Sequence, residues 1–173
     1  MPLHFNDRDV VAEAAGLRSA LIVSCNMCPA ITVAEREKKP FLRIFRSFLK
    51  SAPFERYLAD LRSALQKKGI KTDIFKSPIP HQWFMCMWTA GRTKKLRNRV
   101  KDYDGIVVLG CESATQTVRD AAEGCRCRII EGMELTGIMN AHLKIAPPLD
   151  VCFENYKMVP LAGPEDSPPS PAG

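Results

Sequence analysis

Hydrophobic positions along this chain keep two rhythms. In the first they run unbroken: Leu21-Ile22-Val23 leads into Ser24-Cys25-Asn26-Met27-Cys28-Pro29, and Gly105-Ile106-Val107-Val108-Leu109 leads into Gly110-Cys111. Runs of Ile, Val and Leu without polar alternation fit strands buried on both faces of a parallel sheet. In the second rhythm apolar residues return at three- and four-residue intervals. Tyr57, Leu58, Leu61, Ala64 and Leu65 do so between Phe54 and Lys68, and Lys67-Lys68-Gly69 supplies a C-terminal stop.

Taken in order, the pattern predicts a short helix within residues 4–16 and a strand over Arg18–Ser24. Helical material follows over 30–68, interrupted at Pro53. A short strand is expected over Lys71–Phe75, then a Pro-rich connection from Ser77 to Trp88, and a basic helix over Thr93–Lys101. The Gly105 strand comes next, then a helix capped by Ser113 and closed near Gly124, and a strand over Arg128–Ile130. Met133–Ala141 reads as a short helix, and Leu149–Tyr156 as an extended piece after Pro147-Pro148. The order β-α-β-α-β-α-β predicts one α/β domain over residues 1–161 with a doubly wound, mostly parallel sheet of flavodoxin or Rossmann type. A Pro-rich tail, 162–173, reads as disordered.

Composition narrows the class without changing this picture. The chain has 173 residues, 46% hydrophobic and 25% charged, within the ordinary range for a globular protein. A formal charge of +6 favours anionic partners. No apolar run reaches the ~20 residues of a membrane-spanning helix. Seven cysteines is an odd and high count. With no secretory signal at the amino end, it points to a reducing, cytoplasmic setting, where Cys-x-x-Cys serves metal or redox chemistry rather than a structural disulfide.

Both unbroken strands deliver a thiol at their carboxyl ends, the edge at which open α/β sheets bind ligands. In a flavodoxin-like strand order the first and third strands are neighbours at the switch point, so Cys25, Cys28 and Cys111 share one rim. Cys86, in the loop leaving the second strand, opens on the same edge. Four such thiolates suit a [4Fe–4S] cluster or a closed zinc site, and ligand type alone does not choose between them. A thiol–disulfide protein using Cys25 and Cys28 is the rival, although it has no use for Cys111. A single buried cysteine is more often a small hydrophobe, which is the plain alternative for Cys86. Cys125 and Cys127 precede the fourth strand at the opposite edge, and Cys152 reads as core. His81 is a substitute ligand should Cys86 not serve. Glu112 is the one carboxylate adjacent in sequence.

The early strand-Cys-x-x-Cys, the Pro-rich loop with Cys86, and Asp104-Gly105-Ile106-Val107-Val108-Leu109-Gly110-Cys111 followed by Gln116-Thr117-Val118 resemble the cysteine-rich accessory subunit of bacterial methylenetetrahydrofolate reductases. The resemblance covers roughly residues 18–132. It implies that Cys25, Cys28, Cys86 and Cys111 hold the metal site. It further implies a non-catalytic role, electron delivery to or support of a flavin-dependent reductase in one-carbon metabolism. The further cysteine-rich carboxyl region of that family is missing here, and residues 35–54 read as a helical insertion.

Within the insertion, Phe41, Ile44, Phe45, Phe48 and Leu49 fall at helical spacing, with basic residues largely opposite. This suits a helix packed on the sheet, a lid or a helix that docks a partner through 38–50, or one that lies on an anionic membrane surface. Arg92, Lys94, Lys95, Arg97, Arg99 and Lys101 form a second basic run, read as a solvated helix face. Nucleic-acid binding wants aromatics interleaved with such charges, whereas Trp83, Phe84 and Trp88 precede the run as a separate cluster. That cluster reads as an apolar cover for the site.

Overall fold

A computed structural model describes residues 2–43, 51–76 and 84–161. The unbroken apolar runs are its centre. Strands β2 (Ser19–Ser24) and β5 (Gly105–Leu109) lie side by side in a parallel four-stranded sheet of order β4-β2-β5-β6, with β4 at Lys71–Ile74 and β6 at Arg128–Glu131. Alternate residues feed two separate cores, as the two-residue period of a strand requires. Ala20, Ile22, Val107 and Leu109 point into one, and Leu21, Val23, Ile106 and Val108 into the other. Each core is closed by helices. The first takes α2 (Cys28–Arg36) and α3 (Ala52–Lys67), the second α4 (Ala90–Val100) and α5 (Glu112–Ala121).

At the amino ends of the central strands one carboxylate sets the register. Asp104 accepts from the backbone N–H groups of Arg18 and Ser19 and from Ser19 Oγ, each at 3.2 Å, while its own N–H donates to Ser19 Oγ at 3.0 Å. Gly105 follows because Leu17 leaves no room: a Cβ there would stand 2.4 Å from Leu17 Cδ1.

The first core is also covered by a second, antiparallel sheet of order β1-β7-β8-β3, and here the sequence reading is corrected. Leu3–Asp7 is strand β1, with Phe5 fully buried, although the sequence places residues 4–16 in a short helix; of these only Val10–Glu13 is helical (α1). Met133–Ala146, read in part as a short helix, is the 14-residue strand β7, which pairs with β1 and with β8 (Asp150–Pro160). Leu42–Arg43, inside the expected insertion helix, is the short strand β3 on Val151 and Asp150 of β8. Residues 44–50 of that helix, residues 77–83 of the Pro-rich loop and the tail at 162–173 lie outside the described residues. The observed class is therefore mixed α/β, a parallel sheet plus an antiparallel one. No helix among the described residues is long and apolar enough to cross a membrane.

Candidate metal centre

Pairing of Ser24 with Leu109 brings the ends of β2 and β5 together, and the Cys25 N–H continues the ladder to Leu109 O at 2.8 Å. Gly110 keeps this junction thin: a Cβ would stand 2.6 Å from the Ala114 Cβ and 3.4 Å from the Cys25 Cβ. The next residue, Cys111, is the N-cap of α5, its carbonyl accepting from Ala114 and Thr115. Ser113, expected to be the cap, lies inside the helix instead. Cys28 is the first residue of α2, with Pro29 in the first turn. Two helix amino ends therefore meet on this rim, and both favour negative charge.

Cys86 arrives from another direction. A single 3₁₀ turn, Met85–Met87, lies against α5, with Met85 buried and its carbonyl accepting from Thr117 Oγ1 at 3.5 Å. Cys86, at the middle of that turn, is exposed. Cys25 is buried, and Cys28 and Cys111 are partly so.

Electrostatics links the four. Burial pushes the Cys25 thiol up to about 11, and the charges of Cys28 and Cys111 push the same way; backbone N–H groups of Met85 and Met27 pull against them. Cys28 is likewise raised, mainly by burial, and it feels both Cys111 and Cys86; the Leu3 N–H opposes that rise. The thiolates of Cys25 and Cys28 are disfavoured unless a cation compensates them. Among the described residues, however, no three His, Cys, Asp or Glu side chains are gathered closely enough to hold one metal ion. A tetrahedral zinc site requires sulfurs about 3.8 Å apart. A polynuclear cluster, whose ligands sit on separate irons, accepts a wider spacing than a single ion does.

Not every residue singled out in the sequence joins the rim. Cys125 and Cys127 precede β6 at the opposite end of the sheet and touch the second core. Cys152, expected in the core, is a partly exposed residue of β8 opposite Lys144. Glu112 is turned to Arg119, 2.7 Å away, which also holds Glu131. His81 and Trp83 lie outside the described residues. The expected apolar cover is reduced to Met85, since Phe84 and Met87 are exposed and Trp88 packs on Phe75.

Sequence reasoning missed the contribution of the amino-terminal strand. Thr32 Oγ1 donates to the carbonyls of Leu3 and Cys28, locking β1 to the first turn of α2. With residues 4–16 read as helix, nothing pointed to Leu3. Met27, between the two cysteines, packs against both cores, which fixes the loop between them. Comparison with protein-family models, characterised proteins and solved structures finds no match.

Proposed function

We propose that this chain is a small iron–sulfur protein that relays electrons as an accessory subunit of a flavin-dependent one-carbon reductase, the role implied by its resemblance to the methylenetetrahydrofolate reductase subunit. On this reading the parallel sheet is a doubly wound, flavodoxin-like one with its ligand at the switch point between β2 and β5. The observation that carries the proposal is the Ser24–Leu109 pairing, which sets Cys25 and Cys111 on adjoining strand ends.

A [4Fe–4S] cluster supplies reversible one-electron transfer when bound. Cys25, Cys28, Cys86 and Cys111 would hold it. The N–H groups of Met27, Met85 and Leu3 reach the sulfurs of Cys25 and Cys28, and such donors tune the potential by stabilising added negative charge. Met85 and the aliphatic ends of β2 and β5 keep water from the inner side. The thiol-exchange alternative is weakened by the same environment. A nucleophilic cysteine needs a depressed pKa, and both members of the Cys-x-x-Cys pair are raised.

Anaerobic purification followed by iron, sulfide and zinc analysis tests the proposal. The expected outcome is a brown protein with broad absorbance near ~400 nm that dithionite bleaches. A colourless preparation carrying one equivalent of zinc would replace it with a structural zinc subunit. A metal-free protein active in disulfide exchange would sink both.

A further inference from the structure

We infer that the surface beside Cys86, formed by the start of α4, the end of β4 and the exposed Cys86 and Met87 of the Met85–Met87 turn, docks an acidic redox protein. The inference rests on the electron-transfer reading above and names the chemistry of the partner. Helix α4, Ala-Gly-Arg-Thr-Lys-Lys-Leu-Arg-Asn-Arg-Val, holds five cations and no carboxylate. Only Leu96 and Val100 of it are buried. Arg97 and Arg99 sit in the last turn, where the helix dipole favours them. Arg99 is also tied to Asp73 at 3.7 Å, and Arg97 to the Asp120 carbonyl at 3.2 Å.

Lys94 and Lys95 make no such contact. Both lie near the middle of the helix, and Lys95 faces the like charge of Arg99 one turn on. Among the described residues Lys94 and Lys95 have no ion-pair partner, and both are exposed. Both ammonium groups therefore stand open to a partner's carboxylates.

Geometry gathers them at the rim. Following a parallel strand, α4 begins at the carboxyl edge of the sheet, where β4 ends. Lys95 and Lys76 line one open cleft of about 460 Å³ together with Phe75 and Asn98. Arg92 is held between the Phe75 and Trp88 rings, 4.7 and 4.4 Å from their centroids, a fixed cation rather than a waving one. Beside this positive field Met87 is 74% exposed and Phe84 40%. An exposed methionine next to a charged rim is the composition of a small, transient contact surface. Cys86 stands between Phe84 and Met87 in the chain and is itself exposed.

The test uses the full chain and two carriers of similar size, a plant-type [2Fe–2S] ferredoxin as the acidic probe and cytochrome c as the basic one. Binding is measured by thermophoresis at low and at physiological salt, with iron content assayed on the same sample. The ferredoxin is expected to bind, and cytochrome c not to. Affinity should fall about tenfold or more in the Lys94→Glu/Lys95→Glu variant and again with added salt. Met87→Ala should weaken binding without changing its salt slope. Equal binding of both carriers, no binding of ferredoxin, or an unaffected double variant would overturn the inference. So would a 20-mer oligonucleotide that binds more tightly than ferredoxin and loses as much in the variant, because the surface would then serve nucleic acid. Iron present without ferredoxin binding removes this inference alone. Binding by an iron-free protein keeps the surface and removes the cluster.

Discussion

Cys111 does two jobs in one residue, closing a strand and capping a helix, and the proposed site depends on it as much as on the Cys-x-x-Cys pair. Cys111→Ser should therefore abolish metal retention as completely as Cys25→Ser, while Cys127→Ser, at the far end of the sheet, should leave iron per chain unchanged. Equal iron in wild type and the Cys111 variant would remove β5 from the site. Asp104 shows a different residue-scale effect. Its carboxyl is held below the ordinary range, first by the hydrogen bond from Arg18 and then by Ser19 and backbone donors. A lowered folded pKa means the stabilisation is complete above the unfolded value of about 3.9 and is lost as pH falls through the folded one. Asp104→Asn should lower the urea midpoint most near neutral pH, and the gap from wild type should close on acidification. A gap that widens in acid would show that the charge is not what matters.

Elements were legible in the sequence where burial alone dictated them. Strands β2 and β5 were found because residues such as Ile22 and Val107, enclosed on both sides, must be apolar; α3 was found because Phe54, Leu58 and Leu65 return on one face. The parallel strand order, and with it the common rim of Cys25 and Cys111, followed from those two readings. Of the antiparallel sheet only β8 was legible, as the extended piece Leu149–Tyr156; its other strands were hidden for reasons of their own. Met133–Ala146 is rich in Met, Leu and Ala, which favour helices in isolation, and pairing with β1 and β8 overrides that preference. Leu42 and Arg43 sit in a stretch with helical spacing, yet β8 captures them as a strand. Strand β1 was too short to show its period. It is nonetheless structural: Phe5→Ala removes a fully buried ring and should cost ~3–5 kcal/mol in chemical denaturation. The loss should extend to metal retention, because β1 carries Leu3 to Cys28. A variant that loses stability but keeps its iron would separate the two roles.

On the scale of the whole molecule, two cores meet along a sheet, and at its carboxyl rim the proposed ligands touch both, Cys28 and Cys111 the first and Cys25 the second. A ligand bound there stabilises the folded state by mass action. Chelation under anaerobic conditions should lower the melting temperature. It should also speed hydrogen exchange at residues 25–28, 85–87 and 111–115 while leaving the β7–β8 pairing protected. Uniform deprotection of the chain would mean that the metal holds up the entire fold, as in a zinc finger.

The aliphatic strands beneath the rim are complete without it, since every residue of β5 and the middle four of β2 are buried by hydrocarbon alone. A nascent chain can thus reach its final shape empty. If the rim holds the proposed cluster, iron and sulfide would arrive at strands already packed, with one thiol, that of Cys86, exposed. Maturation would then be an act of delivery to a folded recipient, and oxidative loss of the contents would leave a vessel fit to be refilled.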